Sequence, residues 1–183
     1  MDRNSASLFD GLDIRLLRDE VVTIDLPVLQ DAPHRGEMPS GRLALVGLDC
    51  SHDSERDAER LAAVFGQAPP DAFRVLLYHS PELIPAAHKF GIDLYLCGHT
   101  HGGQVRLPFY GALLTSSELG KQFEMGYYRL ENTHVYVSRG IGMEGLGAPR
   151  VRFLCPPEIA LFSVQRPEDG QVGDRHHPNP KEL

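Results

Sequence analysis

Tryptophan is absent from these 183 residues, cysteine is scarce, and long apolar runs are missing. Each shortage excludes something. The three cysteines, Cys50, Cys97 and Cys155, are odd in number and form no CxxC, and two of them lie in apolar runs. The disulfide framework of a secreted domain needs an even and denser set, so reduced thiols in a cytoplasmic setting are expected. No window approaches the roughly 18 apolar residues of a membrane span. Peripheral membrane association of a longer form stays compatible with that. The opening residues, MDRNSASLFDGLD, carry acids where a signal peptide carries a basic and then an apolar region. Cations are also short: 18 Lys+Arg against 25 Asp+Glu leave a formal charge of −7. Proteins that bind nucleic-acid polymers gain affinity by neutralising phosphates, so this balance argues against such a partner. What is present is an ordinary globular share of apolar residues, 42%, and nine histidines, which direct attention to metal chemistry. The length suits one domain.

The pattern along the chain is that of an α/β protein. Leu12 to Leu17 is a short apolar register, and Glu20 to Leu26 is β-branched and alternating, a strand. Pro33, Gly36 and Pro39 make Asp31 to Ser40 a loop. Arg42 to Leu48 is a continuous apolar run, as expected of a strand buried on both faces. Ala58, Leu61, Ala62 and Phe65 then recur at helical spacing, which predicts a helix over 55–65 with Ser54 as its cap. Phe73 to Tyr78 is a strand, Pro81-Glu82 opens a short helix closed by Gly91, and Ile92 to Cys97 is a second strand. Such a β–α–β unit joins parallel strands. Residues 126–130 and 134–138 are expected to form a hairpin around Glu131-Asn132-Thr133, followed by the glycine-rich loop 139–147. Residues 151–154 and 159–164 are further strand candidates, and the polar, proline-rich 165–183 is expected to be a disordered tail.

Parallel neighbours end side by side, roughly 5 Å apart. His79 follows the end of the first strand of the unit, and His99 and His101 follow the end of the second. Three imidazoles are thereby expected at the carboxyl edge of the sheet, where open α/β sheets place their ligands. Imidazole in its neutral form is the commonest metal ligand. Two histidines in a glycine-rich turn also serve simply to line a polar surface, and at this point both readings stand.

The runs Tyr78-His79-Ser80-Pro81-Glu82 and Cys97-Gly98-His99-Thr100-His101-Gly102-Gly103-Gln104 resemble the calcineurin-like metallophosphoesterase family. They are most similar to its phosphodiesterase branch, whose last metal motif reads GHTHGGQ. The similarity extends over about residues 8–165, through Tyr136 to Gly142 and the Pro157-Glu158-Ile159 segment. The resemblance implies a β-sandwich flanked by helices and two divalent ions (Mn, Fe, Zn or similar). It implies that His79 and His99 bind the second ion and His101 the first. It further implies a hydroxide bridging the ions that attacks phosphorus in line, and a phosphate-ester substrate. Arg139, at the strand-to-loop junction, is a candidate for contact with a substrate phosphate, or else an ordinary salt-bridge partner.

The family's D-x-H, G-D and G-N-H-[D/E] motifs do not precede His79. Residues 1–164 are therefore expected to be the C-terminal part of such a domain, with no catalytic residue carried onto them. Missing carboxylate ligands imply that the chain binds at most one ion well, and an incomplete sheet implies self-association or docking with the missing N-terminal half. Asp174-Arg175-His176 mimics D-x-H from within the tail, and Ser51-His52-Asp53 mimics the end of G-N-H-D on the wrong side of its strand. Both are set aside, and Asp49 is given no metal role. Two other readings remain: an inactive remnant or binding module, and a mononuclear zinc hydrolase held by His79, His99 and His101.

Overall fold

Apolar strand runs alternate with amphipathic helices between Gly41 and Cys97, and that alternation builds the centre of the sheet. The computed structural model describes residues 9–26, 41–143 and 150–163. Strand β1 (Glu20–Leu26) is followed by β2 (Gly41–Gly47), helix α1 (Ser54–Phe65) and β3 (Phe73–Leu77). A single 3-10 turn (Pro81–Leu83) leads into helix α2 (Ile84–Phe90) and then β4 (Leu94–Cys97). A two-stranded ribbon, β5 (Arg106–Leu107) with β6 (Gly111–Ala112), precedes the hairpin β7 (Gly126–Leu130) and β8 (Thr133–Val137). The six main strands lie in the order β1-β2-β3-β4-β8-β7. The inner four, β2, β3, β4 and β8, are parallel, and the two edge strands pair antiparallel.

This is the mixed α/β sheet that the alternation of runs predicts, with the β–α–β unit in the expected place. Val75, Leu76 and Leu77 lie beside Leu94, Tyr95 and Leu96. One sheet face is covered by both helices: Val46, Leu76, Tyr95, Val135 and Val137 meet Leu61, Val64, Leu83, Ile84 and Ala87 in a single core. Each fully buried Leu or Ile of this kind contributes about 1.5–3 kcal/mol. The other face is only half-buried at Leu45, Leu77 and Leu96, and the segment before β1 lies against it. Leu17 comes so close to β2 that a Cβ on Gly47 would fall 2.3 Å from its own Cβ, so only glycine fits there. Among the described residues there is one six-stranded sheet and one ribbon, and no helix long and apolar enough to cross a membrane.

Three expectations need correction. Helix α1 begins one residue early, and Asp53 caps it rather than Ser54, its carboxylate accepting from the Arg56 N–H at 3.0 Å. Residues 151–154 form only one bridge, Val105 with Phe153, because Leu154 turns left-handed (φ 51°) and ends the extended run. Residues 159–163 form no strand: Ile159 and Leu161 are 90% and 97% exposed, and no described strand lies alongside to pair their backbone. The loop expected over 31–40, the tail over 165–183, and with it Asp174 and His176, lie outside the described residues.

Candidate metal centre at the carboxyl edge of the sheet

The parallel strands all end on one edge, and the ladder continues one step past them. Tyr78 N–H donates to the Leu96 carbonyl at 3.3 Å, Gly98 N–H to the His79 carbonyl at 3.0 Å, and Ser138 N–H to the Cys97 carbonyl at 2.8 Å. These bonds place the residue after each strand in register. His79 and His99 consequently meet: His79 Nε2 lies 2.9 Å from His99 Nδ1, with the ring centroids 4.7 Å apart.

The turn that carries His99 is held in an uncommon shape. His99, His101, Gly102, Gly103 and Gln104 all have positive φ, between 50° and 79°. Non-glycine residues persist there only when their surroundings hold them. Thr100 supplies one hold, its hydroxyl donating to the Glu124 carbonyl at 2.7 Å and accepting from the Gly102 N–H at 3.3 Å. The two glycines are required by space as well. A Cβ on Gly102 would lie 2.6 Å from Cys155 Sγ, and one on Gly103 would lie 2.3 Å from the Ala112 Cβ and 2.7 Å from the Leu114 carbonyl oxygen. Gly103→Ala is expected to cost about 2–4 kcal/mol, combining the left-handed penalty with overpacking against backbone that cannot rotate away. Urea unfolding of the variant checks this; a loss below about 0.5 kcal/mol would show that the turn relaxes freely.

His101 points elsewhere. Its Nδ1 is 3.5 Å from Arg152 Nη2, and its carbonyl accepts from Arg152 Nη1 at 3.2 Å and from the Cys155 thiol at 3.2 Å. Arg152 also donates to the carbonyls of Arg139 and Gly142, at 2.7 and 2.6 Å. Residues 152–155 thus fasten the outer side of the turn, a role no local pattern announces. Arg139 is engaged by Glu158: its N–H donates at 2.9 Å, its Nε at 2.8 Å, and its Nη2 closes the pair. The salt-bridge alternative for Arg139 is therefore the one seen here. Burial opposes the Glu158 charge, but the Arg139 guanidinium outweighs it and holds the carboxyl below its ordinary range.

His52 was set aside on its sequence pattern, yet it stands at this edge. It follows β2, which is also a parallel strand, so its carboxyl end reaches the same place. Its ring centroid is 6.2 Å from that of His79 and 6.5 Å from that of His99, on a left-handed backbone (φ 62°). His52, His79, His99 and His101 all line one cavity of about 640 Å³, floored by Leu16, Leu17, Leu48, Leu77 and Leu96. His79 keeps part of its ring open to solvent, but desolvation first, then the imidazoles of His99 and His52, hold its pKa below the usual value, against a smaller pull from Glu82. A neutral imidazole is the form that binds metal.

The donor chemistry fits a divalent ion in part. Two ring nitrogens 2.9 Å apart face one volume, and both would offer lone pairs to a cation once the proton between them is given up. Among the described residues, no three His, Cys, Asp or Glu side chains stand together as a ready-made ligand set.

No protein-family profile matches the chain, and no solved structure matches it. Curated relatives do. It is 43% identical over 93 residues to an uncharacterized metallophosphoesterase, YkuE, of Bacillus subtilis, covering 51% of this chain and 31% of YkuE. It is 35% identical over 92 residues to the phosphodiesterase YaeI of Escherichia coli, covering 50% of this chain and 32% of YaeI. It is 28% identical over 130 residues to the UDP-2,3-diacylglucosamine pyrophosphatase LpxG of Chlamydia trachomatis, covering 67% of this chain and 37% of LpxG. The chain therefore spans about a third of the length of these relatives. The stretch shared with these relatives is thus similar to proteins named metallophosphoesterase, phosphodiesterase and pyrophosphatase, which supports the calcineurin-like metallophosphoesterase family for it.

Proposed function

We propose that this chain contributes the C-terminal part of a metal-dependent phosphohydrolase, a phosphodiesterase, whose dinuclear centre is completed by carboxylate ligands from outside the described residues. The observation that carries the reading is the 2.9 Å approach of His79 Nε2 to His99 Nδ1 at the carboxyl edge. His79 and His99 would hold one ion between these two nitrogens, and His101, on the same cavity wall, would belong to the other. When bound, such ions supply a hydroxide nucleophile at neutral pH and offset charge on the phosphoryl oxygens. The chain's own residues do the rest. The ladder past β3 and β4 aims the imidazoles, and the apolar cavity floor limits water. In a chain with formal charge −7, bound cations rather than Lys or Arg would hold an anionic ester. The names of YaeI and LpxG support phosphoester cleavage as the chemistry.

The test is metal stoichiometry by equilibrium dialysis with Mn²⁺, alongside hydrolysis of a simple aryl phosphodiester. One ion or fewer per chain with poor turnover is expected, since the pair alone offers two donors. Loading of two ions with robust turnover would contradict it.

A second reading has its own observation. The His52 ring centroid lies 6.2 Å from that of His79 and 6.5 Å from that of His99, short of a ready-made set, so a mononuclear three-histidine zinc site would require its ring to swing toward the pair. One zinc per chain, lost on His52→Ala, would favour that reading over the first.

A further inference from the structure

We propose that Glu82 is a positioning residue for His99: its carboxylate holds the Ser116–Glu118 turn, whose Ser116 carbonyl takes the Nε2 proton of His99 and leaves Nδ1 as the donor atom. The proposal deepens the metal reading above and rests on it for its consequence, though not for its geometry.

His99 Nε2 lies 3.0 Å from the Ser116 carbonyl oxygen. A carbonyl only accepts, so Nε2 carries the proton. In the neutral ring the lone pair is then on Nδ1, the atom facing His79 Nε2 at 2.9 Å. Histidines that bind metals ordinarily donate their other N–H to a carbonyl or carboxylate, which fixes tautomer and ring orientation. Ser116 fills that role here, from a left-handed backbone (φ 55°) that needs external support.

Glu82 supplies the support. Its Oε1 accepts from the Glu118 N–H at 3.2 Å. Burial works against its charge, but the hydroxyls of Ser80 and Ser117 and nearby backbone N–H groups outweigh that and keep the carboxyl below its ordinary range, hence ionised at neutral pH. Glu118 is tied in turn to the start of α1, Ser54 Oγ donating to its Oε2 at 3.3 Å. Glu82 sits three positions after His79 on the same short segment, so one carboxylate links the piece carrying His79 to the turn that orients His99. Glu82, His52, His99, Ser116 and Glu118 all line a small open pocket of about 150 Å³.

The experiment reads the imidazole nitrogens of the full chain by ¹⁵N NMR, without metal, and Zn²⁺ affinity by chelator competition. Wild type is expected to show His99 protonated at Nε2 alone. Glu82→Ala, and Glu82→Asp, which keeps the charge but not the reach, are expected to mix the two tautomers and weaken Zn²⁺ binding by about 10–100-fold. Glu82→Gln keeps an acceptor for the Glu118 N–H and is expected to restore the wild-type tautomer and affinity to within about 3-fold, a rescue that a charge effect would not give. If Glu82→Ala is unfolded, the Asp and Gln pair carries the test. Wild-type His99 signals in both the Ala and Asp variants would overturn the proposal. A shifted tautomer with unchanged Zn²⁺ affinity would instead uphold the positioning and remove His99 from the metal reading.

Discussion

Alanine in place of Asp57 is expected to remove about 3–5 kcal/mol of unfolding free energy, a large part of what a domain of this size possesses. Asp57 is fully buried in α1. Its carboxylate accepts from Tyr78 Oη at 2.6 Å, from the Ser51 N–H and hydroxyl at 2.8 and 2.7 Å, and from Arg60 Nη1 at 2.7 Å. Arg60 is held further by Asp19 and by the Asp49 carbonyl. Truncation leaves a phenol, a backbone amide and a guanidinium facing a void, and unpaired buried groups cost their full desolvation. The same four bonds tie Ser51, next to His52, to Tyr78, next to His79, so the candidate centre should loosen along with the core.

The acid limb gives a second measurement. Burial raises the Asp57 pKa, but the bonds from Tyr78, Ser51 and Arg60 prevail and set it below the ordinary carboxylate value. A group depressed in the folded state contributes stability that is complete above its unfolded pKa of about 3.9 and is lost as pH falls through the folded value. Urea midpoints measured from pH 7 downward should fall below about pH 4 in wild type, and less steeply in Asp57→Asn. An unfolding free energy for Asp57→Ala within about 1 kcal/mol of wild type would show that the network carries no such weight.

The other large effect is on metal binding. His99→Ala and His79→Ala should each weaken Zn²⁺ or Mn²⁺ binding by more than about 100-fold, beyond the 10–100-fold that outer partners of a ligand usually command. Each variant leaves one nitrogen where two now face each other at 2.9 Å. His101→Ala should have a smaller effect on this ion, because that imidazole is turned to Arg152. Isothermal titration of the three variants distinguishes these outcomes. Equal, wild-type affinity in His79→Ala and His99→Ala would end the metal reading, and circular dichroism confirms that each variant is folded. His79→Ala serves as the cleaner variant, since the His99 ring also bonds the Ser116 carbonyl.

Much of the scaffold was legible because it is local. Strands β1 to β4 and both helices follow from apolar runs stopped by Gly66, Gly91 and the prolines, and parallel pairing of β3 with β4 follows from the helix between them. From that pairing alone His79 and His99 come together at one edge. The failures are also instructive. Residues 159–163 have a strand's alternation, but a strand exists only with a partner edge, and pairing is not written in alternation. His52 was missed because a motif was sought in linear order. The signal that finds it is topological: β2 is parallel too, so whatever follows it arrives at the same edge.

The sequence by itself determined the α/β order, the glycine-rich turn after β4 and the histidines at the strand ends, since each depends on neighbours within a few positions. Tertiary structure alone decided which partner each ring nitrogen of His99 meets, that Arg139 is taken by Glu158, and that Asp57 binds two histidine-bearing segments into one core. Those bonds join residues separated by up to 21 positions along the chain. Their partners are brought into reach only when the sheet has formed, because hydrogen bonds act over about 3 Å and carry no trace in local periodicity.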